Sequence, residues 1–336
     1  MDHQLLNDKI KNKHILVTGG TGTFGQQIVQ QLIKYGPASI NIFSRDEKKQ
    51  YDMQQKFKNI DVLHFLLGDV RDYERLSETI QGIDIIFHAA ALKQVPNCEF
   101  APYEAVLTNI KGAENVRRAS IKAGVKKVIS ISTDKAVKPV NVMGMTKSIQ
   151  ERIMLQALYG NTSTEFVCVR YGNVLGSRGS VVPLFYNCIL NNQPLPVTHP
   201  DMNRFQLILN DAVELVLWAL VNGTHGDLWV KKMPSANTLT LGKVLAYGLT
   251  GNKDYPVEII GARPGEKMYE VLVSEEEMWR AKEQDEYFII PSWERSYQKL
   301  GPTKEPFKEY ASNKVHIMSE DEIFNMFQRD GWFDKT

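Results

Sequence analysis

Residues 15–25 read ILVTGGTGTFG: a strand-length apolar run that breaks into glycines at 19, 22 and 25 and passes at once into the apolar stretch Gln26–Lys34, spaced like a helix. Few folds accept a strand, a glycine turn and a helix in such close succession. The same rhythm then repeats, with short apolar runs at Ile15–Thr18, Ser39–Ser44, Val62–Leu66, Ile83–His88, Lys126–Ser132 and Glu165–Arg170, separated by longer helix-like stretches. Strands alternating with helices of this length join as right-handed crossovers, which predicts an α/β fold with a doubly wound parallel sheet covered on both faces. After Gly179 the alternation weakens and Pro and Asn become frequent. The expected division is therefore a Rossmann-type domain over 1–179 and a smaller lobe over 180–336, some segments of which return to the first domain. Asn210–Asn222 reads as a helix capped by Asn210, and Ser319–Gln328 as a capped terminal helix, whereas Trp293–Tyr310 is polar and punctuated by proline.

The glycine spacing has a chemical reading. Gly19 permits a tight turn, Gly22 lets the backbone approach a pyrophosphate, and Gly25 allows close packing, while the helix N-terminus offers amide donors and a favourable dipole. Thr21, Thr23 and Phe24 complete this dinucleotide loop. A structural glycine turn is the bland alternative, disfavoured because strand, spacing and helix agree. At the end of the second strand, where a carboxylate would select NAD, the chain reads Ser44-Arg45-Asp46-Glu47-Lys48. A hydroxyl at Ser44 and cations at Arg45 and Lys48 suit a 2′-phosphate, so NADP is the expected cofactor, with Asp46 as the contrary sign. Asp69 and Val70 are placed to cap the adenine, and Ala89, Ala90 and Ala91 supply small residues where backbone passes near the cofactor.

Ser132-Thr133-Asp134-Lys135, at the end of the fifth strand, sets an acid beside a base. Such a pair can remove one proton and deliver another during loss of water. Met143 and Lys147 follow at a spacing that puts both on one helix face.

Taken together, TGGTGTFG, SRDE, GDVRD, HAAALKQVP, STDKAVKPVNVMGMTK, VRYGNVLGSRGSV and ARPGEK, at 18–25, 44–47, 68–72, 88–96, 132–147, 169–181 and 262–267, resemble the extended short-chain dehydrogenase/reductases. The resemblance spans nearly the whole chain and is closer still to the inverting UDP-N-acetylglucosamine 4,6-dehydratases of pseudaminic acid, capsule and O-antigen amino-sugar synthesis. It implies oxidation at carbon 4 of the sugar, elimination of water across carbons 5 and 6, hydride return to carbon 6 and regeneration of NADP in place. It implies Lys135 as base at carbon 5 and Asp134 as acid for the leaving hydroxyl, roles that ask for a neutral lysine and a protonated carboxyl. Thr133 takes the family's hydroxyl position, and Lys147 holds the nicotinamide ribose. Asn109, Tyr171 and Asn173 fall among the cofactor contacts. Met143 stands where the family usually has tyrosine, and a thioether cannot act as a base, which leaves the first proton transfer to a water, Thr133, Lys147, Asp134 or Lys135.

For the nucleotide sugar, the resemblance brings forward Lys93, Asn173, Arg178, Val181, Arg204, Arg263 and Glu266, with Val197 and Thr198 near the uracil. Arginine suits a diphosphate because its planar fork donates two hydrogen bonds at once. It also implies a homo-oligomer built on helices near Val106–Ala123 and Met145–Leu158. Competing expectations are a retaining dehydratase or an epimerase of the same sugar nucleotide, and an NADP-binding protein impaired by Met143.

Composition excludes several other classes. Lys and Arg number 40 against 39 Asp and Glu, so no basic footprint points to nucleic acid. Three scattered cysteines, Cys98, Cys168 and Cys188, give neither a disulfide framework nor metal-ligand spacing. The charged N-terminal segment and the absence of a long apolar run predict a cytoplasmic protein without membrane contact.

Overall fold

The computed structural model describes residues 3–155, 163–293 and 307–334. Its centre is a nine-stranded sheet. We label its first six strands in chain order: β1 (His14–Thr18), β2 (Ser39–Ser44), β3 (Leu63–Leu67), β4 (Ile85–His88), β5 (Lys127–Ile131) and β6 (Glu165–Arg170). They lie side by side as β3-β2-β1-β4-β5-β6, all parallel. β1, β4 and β5 are apolar and almost wholly buried, as a sheet covered on both faces requires. The doubly wound α/β fold anticipated from the alternation is the fold observed.

Beyond β6 the sheet continues with chain from far downstream. Asp227–Lys231 pairs parallel with β6, Tyr287–Pro291 pairs antiparallel with Asp227–Lys231, and Lys282–Gln284 closes the edge. A second apolar core, built by Phe185, Leu195, Leu241, Leu245, Phe327 and Trp332 among others, lies among the helices Val181–Leu190, Thr238–Thr250 and Glu320–Arg329. It adjoins short strands at Asn173–Val174, Asn203–Leu207 and Ser235–Asn237, which form a separate three-stranded sheet.

Three local differences from the sequence expectation have physical causes. The helix after the glycines begins at Thr23, not Gln26, and its last turn tightens to a 3-10 helix at Ile33–Tyr35. Leu209–Asn222 is capped at Ile208 without a side-chain bond; Asn210 lies inside the helix, and its Oδ1 accepts from Gln27 Nε2 at 2.7 Å, a tertiary contact in place of a cap. Val106–Lys111, expected to open a regular helix, is a π-helical turn leading into Gly112–Ala123. The terminal helix has the capping box its sequence spells, between Ser319 and Glu322. The expected helix Met145–Leu158 is observed as Val142–Leu155, and its remaining residues, like 294–306 of the proline-punctuated stretch, lie outside the described residues.

Candidate functional site

Strand order reverses between β1 and β4, and the crevice beyond their carboxyl ends is where doubly wound sheets bind ligands. Gly19 turns the chain there at φ +68°, and a Cβ on it would stand 2.8 Å from Ala90 Cα and N. A Cβ on Gly25 would stand 2.5 Å from Gly20 Cα. The glycines thus pack the turn against Ala89 and Ala90 and leave the helix N-terminus at Thr23 without a side-chain cap. Thr18 Oγ1 holds the ring of His88 at 2.8 Å, locking the two strand ends together. A cradle this close, with open amides at its mouth, fits the pyrophosphate of a dinucleotide.

Around the expected adenosine end, buried Ser44 shares a hydrogen bond with Thr21 Oγ1 at 2.9 Å. Asp46 caps the helix Glu47–Lys56, accepting from the backbone N–H of Lys49 and pairing with its ammonium, which holds the carboxyl below its usual range. That carboxylate is therefore spent locally. Arg45 is half exposed and reaches Asp69 at 3.4 Å, while Lys48 turns along its own helix to Asp52 at 2.9 Å. Asp69 is also bound by Arg71; burial opposes its charge, but the arginine contacts outweigh it and lower its pKa. Val70 is buried against the place where a Cβ on Gly112 would stand. Phe24 faces Tyr171, with ring centroids 6.4 Å apart.

Asn109, in the π-helical turn, is completely buried. Its Oδ1 accepts from Leu92 N at 2.8 Å, and its Nδ2 donates to Leu92 O and Thr146 Oγ1, each at 3.0 Å. Both ends of its amide thus tie the Ala91–Lys93 segment to the helix Val142–Leu155. An inserted turn of this kind often marks a functional site.

β5 delivers Thr133, Asp134 and Lys135 onto a 3-10 turn, Asp134–Ala136, whose N-cap is Thr133. Asp134 is fully buried. Its Oδ1 accepts from Thr133 Oγ1 at 2.9 Å and from Lys135 Nζ at 3.0 Å, and its Oδ2 has no hydrogen-bond partner among the described residues. Lys135 also donates to Asn173 Oδ1 at 3.2 Å and lies 3.8 Å from Glu270. Burial alone would lower its pKa, yet Asp134 and Glu270 outweigh burial and raise it. These two carboxyls thus favour the ammonium form of Lys135, opposite to the shift its expected role as a neutral base asks for.

On the adjoining helix, Lys147 donates to Ile131 O at 2.6 Å and Gln150 Oε1 at 2.7 Å. Burial pulls its pKa down to about 8, against the raising effect of Glu151. Met143 is buried with Cys98 and Ala105, against Leu92, Val95 and Val142. Between them Gly144 lets the helix meet the turn: a Cβ there would stand 2.2 Å from Lys135 O.

The nucleotide-sugar candidates are distributed unevenly. Lys93 reaches solvent; partial burial, then the like charges of Lys135 and Arg178, lower its pKa. Arg178 is exposed, and its backbone N–H reaches Thr23 Oγ1 at 3.4 Å; Val181 opens the next helix. Arg204, expected to clamp phosphate, is buried, and its guanidinium donates to the carbonyls of Asn203, Lys267 and Met268. Arg263 is exposed, and its backbone N–H donates to the Glu266 carboxylate at 3.1 Å. Val197 is buried in the second core and its carbonyl accepts from Ile260 N at 2.9 Å, so that carbonyl is already engaged on the edge where the uracil was expected. Thr198 is partly buried, its hydroxyl against Met202 Sδ at 3.3 Å.

Sequence reasoning passed over Asn141, which accepts from Gly144 N at 2.8 Å and donates to Gly265 O at 2.8 Å, joining the ARPGEK loop to the start of the helix Val142–Leu155. It also passed over Gln150 and Glu270. Gln150 was findable, one turn beyond Lys147 on the same helix face; Glu270 carried no signal. Among the described residues, no group of three or more His, Cys, Asp or Glu is arranged to hold a metal, and no helix is long and apolar enough to cross a membrane.

Residues 15–292 match the family described as Polysaccharide biosynthesis protein. A UDP-glucose 4-epimerase of Rickettsia canadensis (strain McKiel) is 47% identical over 286 residues, which is 83% of each chain. The X-ray structure of Pen from Bacillus thuringiensis superposes with a TM-score of 0.88 at 39% identity, covering 95% of this chain and 99% of that one. DesIV, a dTDP-glucose 4,6-dehydratase from Streptomyces venezuelae solved with NAD and TYD bound, superposes with a TM-score of 0.72 at 18% identity over 96% of this chain and 97% of its own, a likeness of fold.

Proposed function

The chain belongs to the polysaccharide biosynthesis protein family and has the fold of nucleotide-sugar dehydratases and epimerases, and from that premise we propose that it is an NADP-dependent, carbon-5-inverting 4,6-dehydratase of UDP-N-acetylglucosamine. The observation that carries this reading is the ion pair of buried Asp134 with partly buried Lys135, 3.0 Å apart at the end of β5. When bound, the nicotinamide dinucleotide supplies reversible hydride transfer, taken from carbon 4 and given back at carbon 6. Ser44 and Arg45, with Asp46 committed to capping, are the support for NADP. Residues 1–179 mainly hold the cofactor in this reading and 180–336 mainly frame the sugar nucleotide, with Lys93 and Asn173 beside Lys135 and Arg178 against the glycine loop at Thr23.

The resting geometry gives the pair its working form in one step. Shifting a proton from Lys135 Nζ to Asp134 Oδ1 leaves a neutral amine and a carboxylic acid side by side. With carbon 4 oxidised, the adjacent carbon 5 proton is acidic. Lys135 takes it, and Asp134 gives its proton to the departing carbon 6 hydroxyl, which leaves as water; the proton count balances. Return of a proton to the opposite face of carbon 5 inverts it. Lys147, held by Ile131 O and Gln150, supplies charge beside the carbon 4 hydroxyl. We place this chemistry in the cytoplasm, in a homo-oligomer.

A second reading, a UDP-sugar 4-epimerase, is favoured by the name of the Rickettsia relative. Epimerisation at carbon 4 needs no acid for a leaving hydroxyl, and so leaves the Asp134–Lys135 pair without a task. Incubation with UDP-N-acetylglucosamine in deuterated water, followed by NMR, separates the two. The expected product is a 4-keto-6-deoxy sugar with deuterium at an inverted carbon 5, absent with Lys135→Ala. A 4-epimer without carbon 5 deuterium sinks the dehydratase reading.

A further inference from the structure

We propose that Glu270 is a positioning residue that sets, through its charge, the proton affinity of Lys135; the inference deepens the reading of Lys135 as the base at carbon 5 and rests on it. Glu270 follows the ARPGEK loop and is buried, its side chain only 4% exposed. Its Oε1 lies 3.8 Å from Lys135 Nζ, too far for a hydrogen bond but close enough for a Coulomb effect that the burial of the carboxyl strengthens. Its Oε2 faces Lys267 Nζ at 3.5 Å and has no hydrogen-bond partner among the described residues.

The charged groups acting on this carboxyl are Lys135 and Asp134 on the catalytic turn, Arg204 on the strand Asn203–Leu207, and Lys267 on its own loop. Ser312 receives only its backbone N–H, at 3.0 Å. Burial raises the pKa of Glu270 against the pull of three cations, so this carboxyl changes charge closer to neutrality than an exposed one. Lys135 spends its hydrogen bonds on Asp134 and Asn173, which fix where the amine sits. Glu270 then acts on one quantity: how tightly that amine holds a proton. As a carboxylate it favours the ammonium formed when carbon 5 gives up its proton; as a neutral acid it lets that proton go. No bond to Glu270 forms or breaks.

The test reads Lys135 directly and needs no substrate. The full-length protein with its bound nucleotide is labelled with 13Cε-lysine and 13Cδ-glutamate and titrated by NMR, Lys135 and Glu270 being assigned from Lys135→Arg and Glu270→Gln. Glu270→Gln keeps shape and removes charge, and the Lys135 midpoint is expected to fall by about one pH unit or more, a tenfold loss of proton affinity. Glu270→Asp, which restores the charge, is expected to hold the midpoint near the parent value. A purely structural residue would lower thermal stability in both variants and leave the midpoint in place, and an unmoved midpoint in Glu270→Gln overturns the proposal. Should Glu270→Gln not fold, the parent protein still decides: the Lys135 resonance must show a second inflection at the Glu270 midpoint, and a single inflection overturns it. Absence of a dehydrated product from UDP-N-acetylglucosamine would instead count against the proposed function, whatever this titration gives.

Discussion

Met143 stands where the sequence resemblance leads one to expect a tyrosine, and its surroundings show why placing a phenol there is no simple repair. The thioether fills an apolar cluster with Cys98 and Ala105, and Thr146 Oγ1 donates to its carbonyl at 2.9 Å. A tyrosine there buries a hydroxyl among groups with little to offer it, at a cost of roughly 1–3 kcal/mol if it stays unpaired. Met143→Tyr is therefore expected to melt several degrees lower and to turn over no faster. A faster variant with a new rate-controlling ionisation would show instead that the phenol reaches the cofactor side. At this scale the sequence is a mixed guide. Thr133, Asp134, Lys135 and Asn173 were all findable, because short motifs at strand ends fix their place, and the structure brings them within hydrogen-bonding reach of one another. Glu270 was not, since its meaning comes from a fold that carries it back across the chain to Lys135. Nor could spacing reveal that the Arg204 guanidinium is turned to backbone carbonyls.

The helix Val142–Leu155 carries Met143, Lys147, Gln150 and Glu151, and it approaches the turn Asp134–Ala136 only because position 144 has no side chain. Alanine at Gly144 would force a Cβ to within 2.2 Å of Lys135 O, a backbone atom that cannot move aside cheaply. The helix start or the turn must shift, and a displacement of about 1 Å in catalytic geometry costs on the order of a hundredfold in rate. Gly144→Ala is expected to lose activity of that order while still binding dinucleotide through the distant glycine loop. Equal loss of cofactor binding would place the damage in the whole domain. Helices and parallel strands were legible because each presents a long apolar pattern. The strands of two or three residues at Asn173–Val174, Leu195–Val197 and Ser235–Asn237 are too short for a period to develop, and tertiary pairing alone defines them.

Across the molecule, one buried arginine joins three distant segments. Arg170 at the end of β6 pairs with Glu151 of the helix Val142–Leu155 and Glu277 of the downstream segment, at 2.6 and 2.9 Å, and donates to Leu272 O at 2.8 Å. Removing it strands two buried carboxylates, so Arg170→Met is expected to cost about 3–5 kcal/mol in unfolding free energy. The pH dependence gives a sharper check. Burial would raise the pKa of Glu277, but Arg170 outweighs it and holds the group at about 2. A carboxyl depressed from about 4.3 contributes stability that is complete above that value and is lost as pH falls toward 2. In Arg170→Met only the Ser274 backbone N–H and Arg280 still oppose burial, so the Glu277 pKa rises, and between about pH 4.3 and 2 the variant should lose less stability than the parent in chemical denaturation. Parallel slopes would mean that Arg170 does not govern the Glu277 carboxyl.

The return of Asp227–Lys231 and Tyr287–Pro291 to the sheet beside β6 has a consequence for the chain as it is made. Strands β1 to β6 leave the ribosome before Asp227–Lys231, the segment that pairs with β6, and until it arrives the outer edge of β6 offers unpaired N–H and C=O groups beside Val167 and Val169. The nascent half that carries β1 to β6 is thus open-edged, exposed to self-association through that edge for as long as the 56 residues between Arg170 and Asp227 take to be synthesised, at roughly 5–20 residues per second.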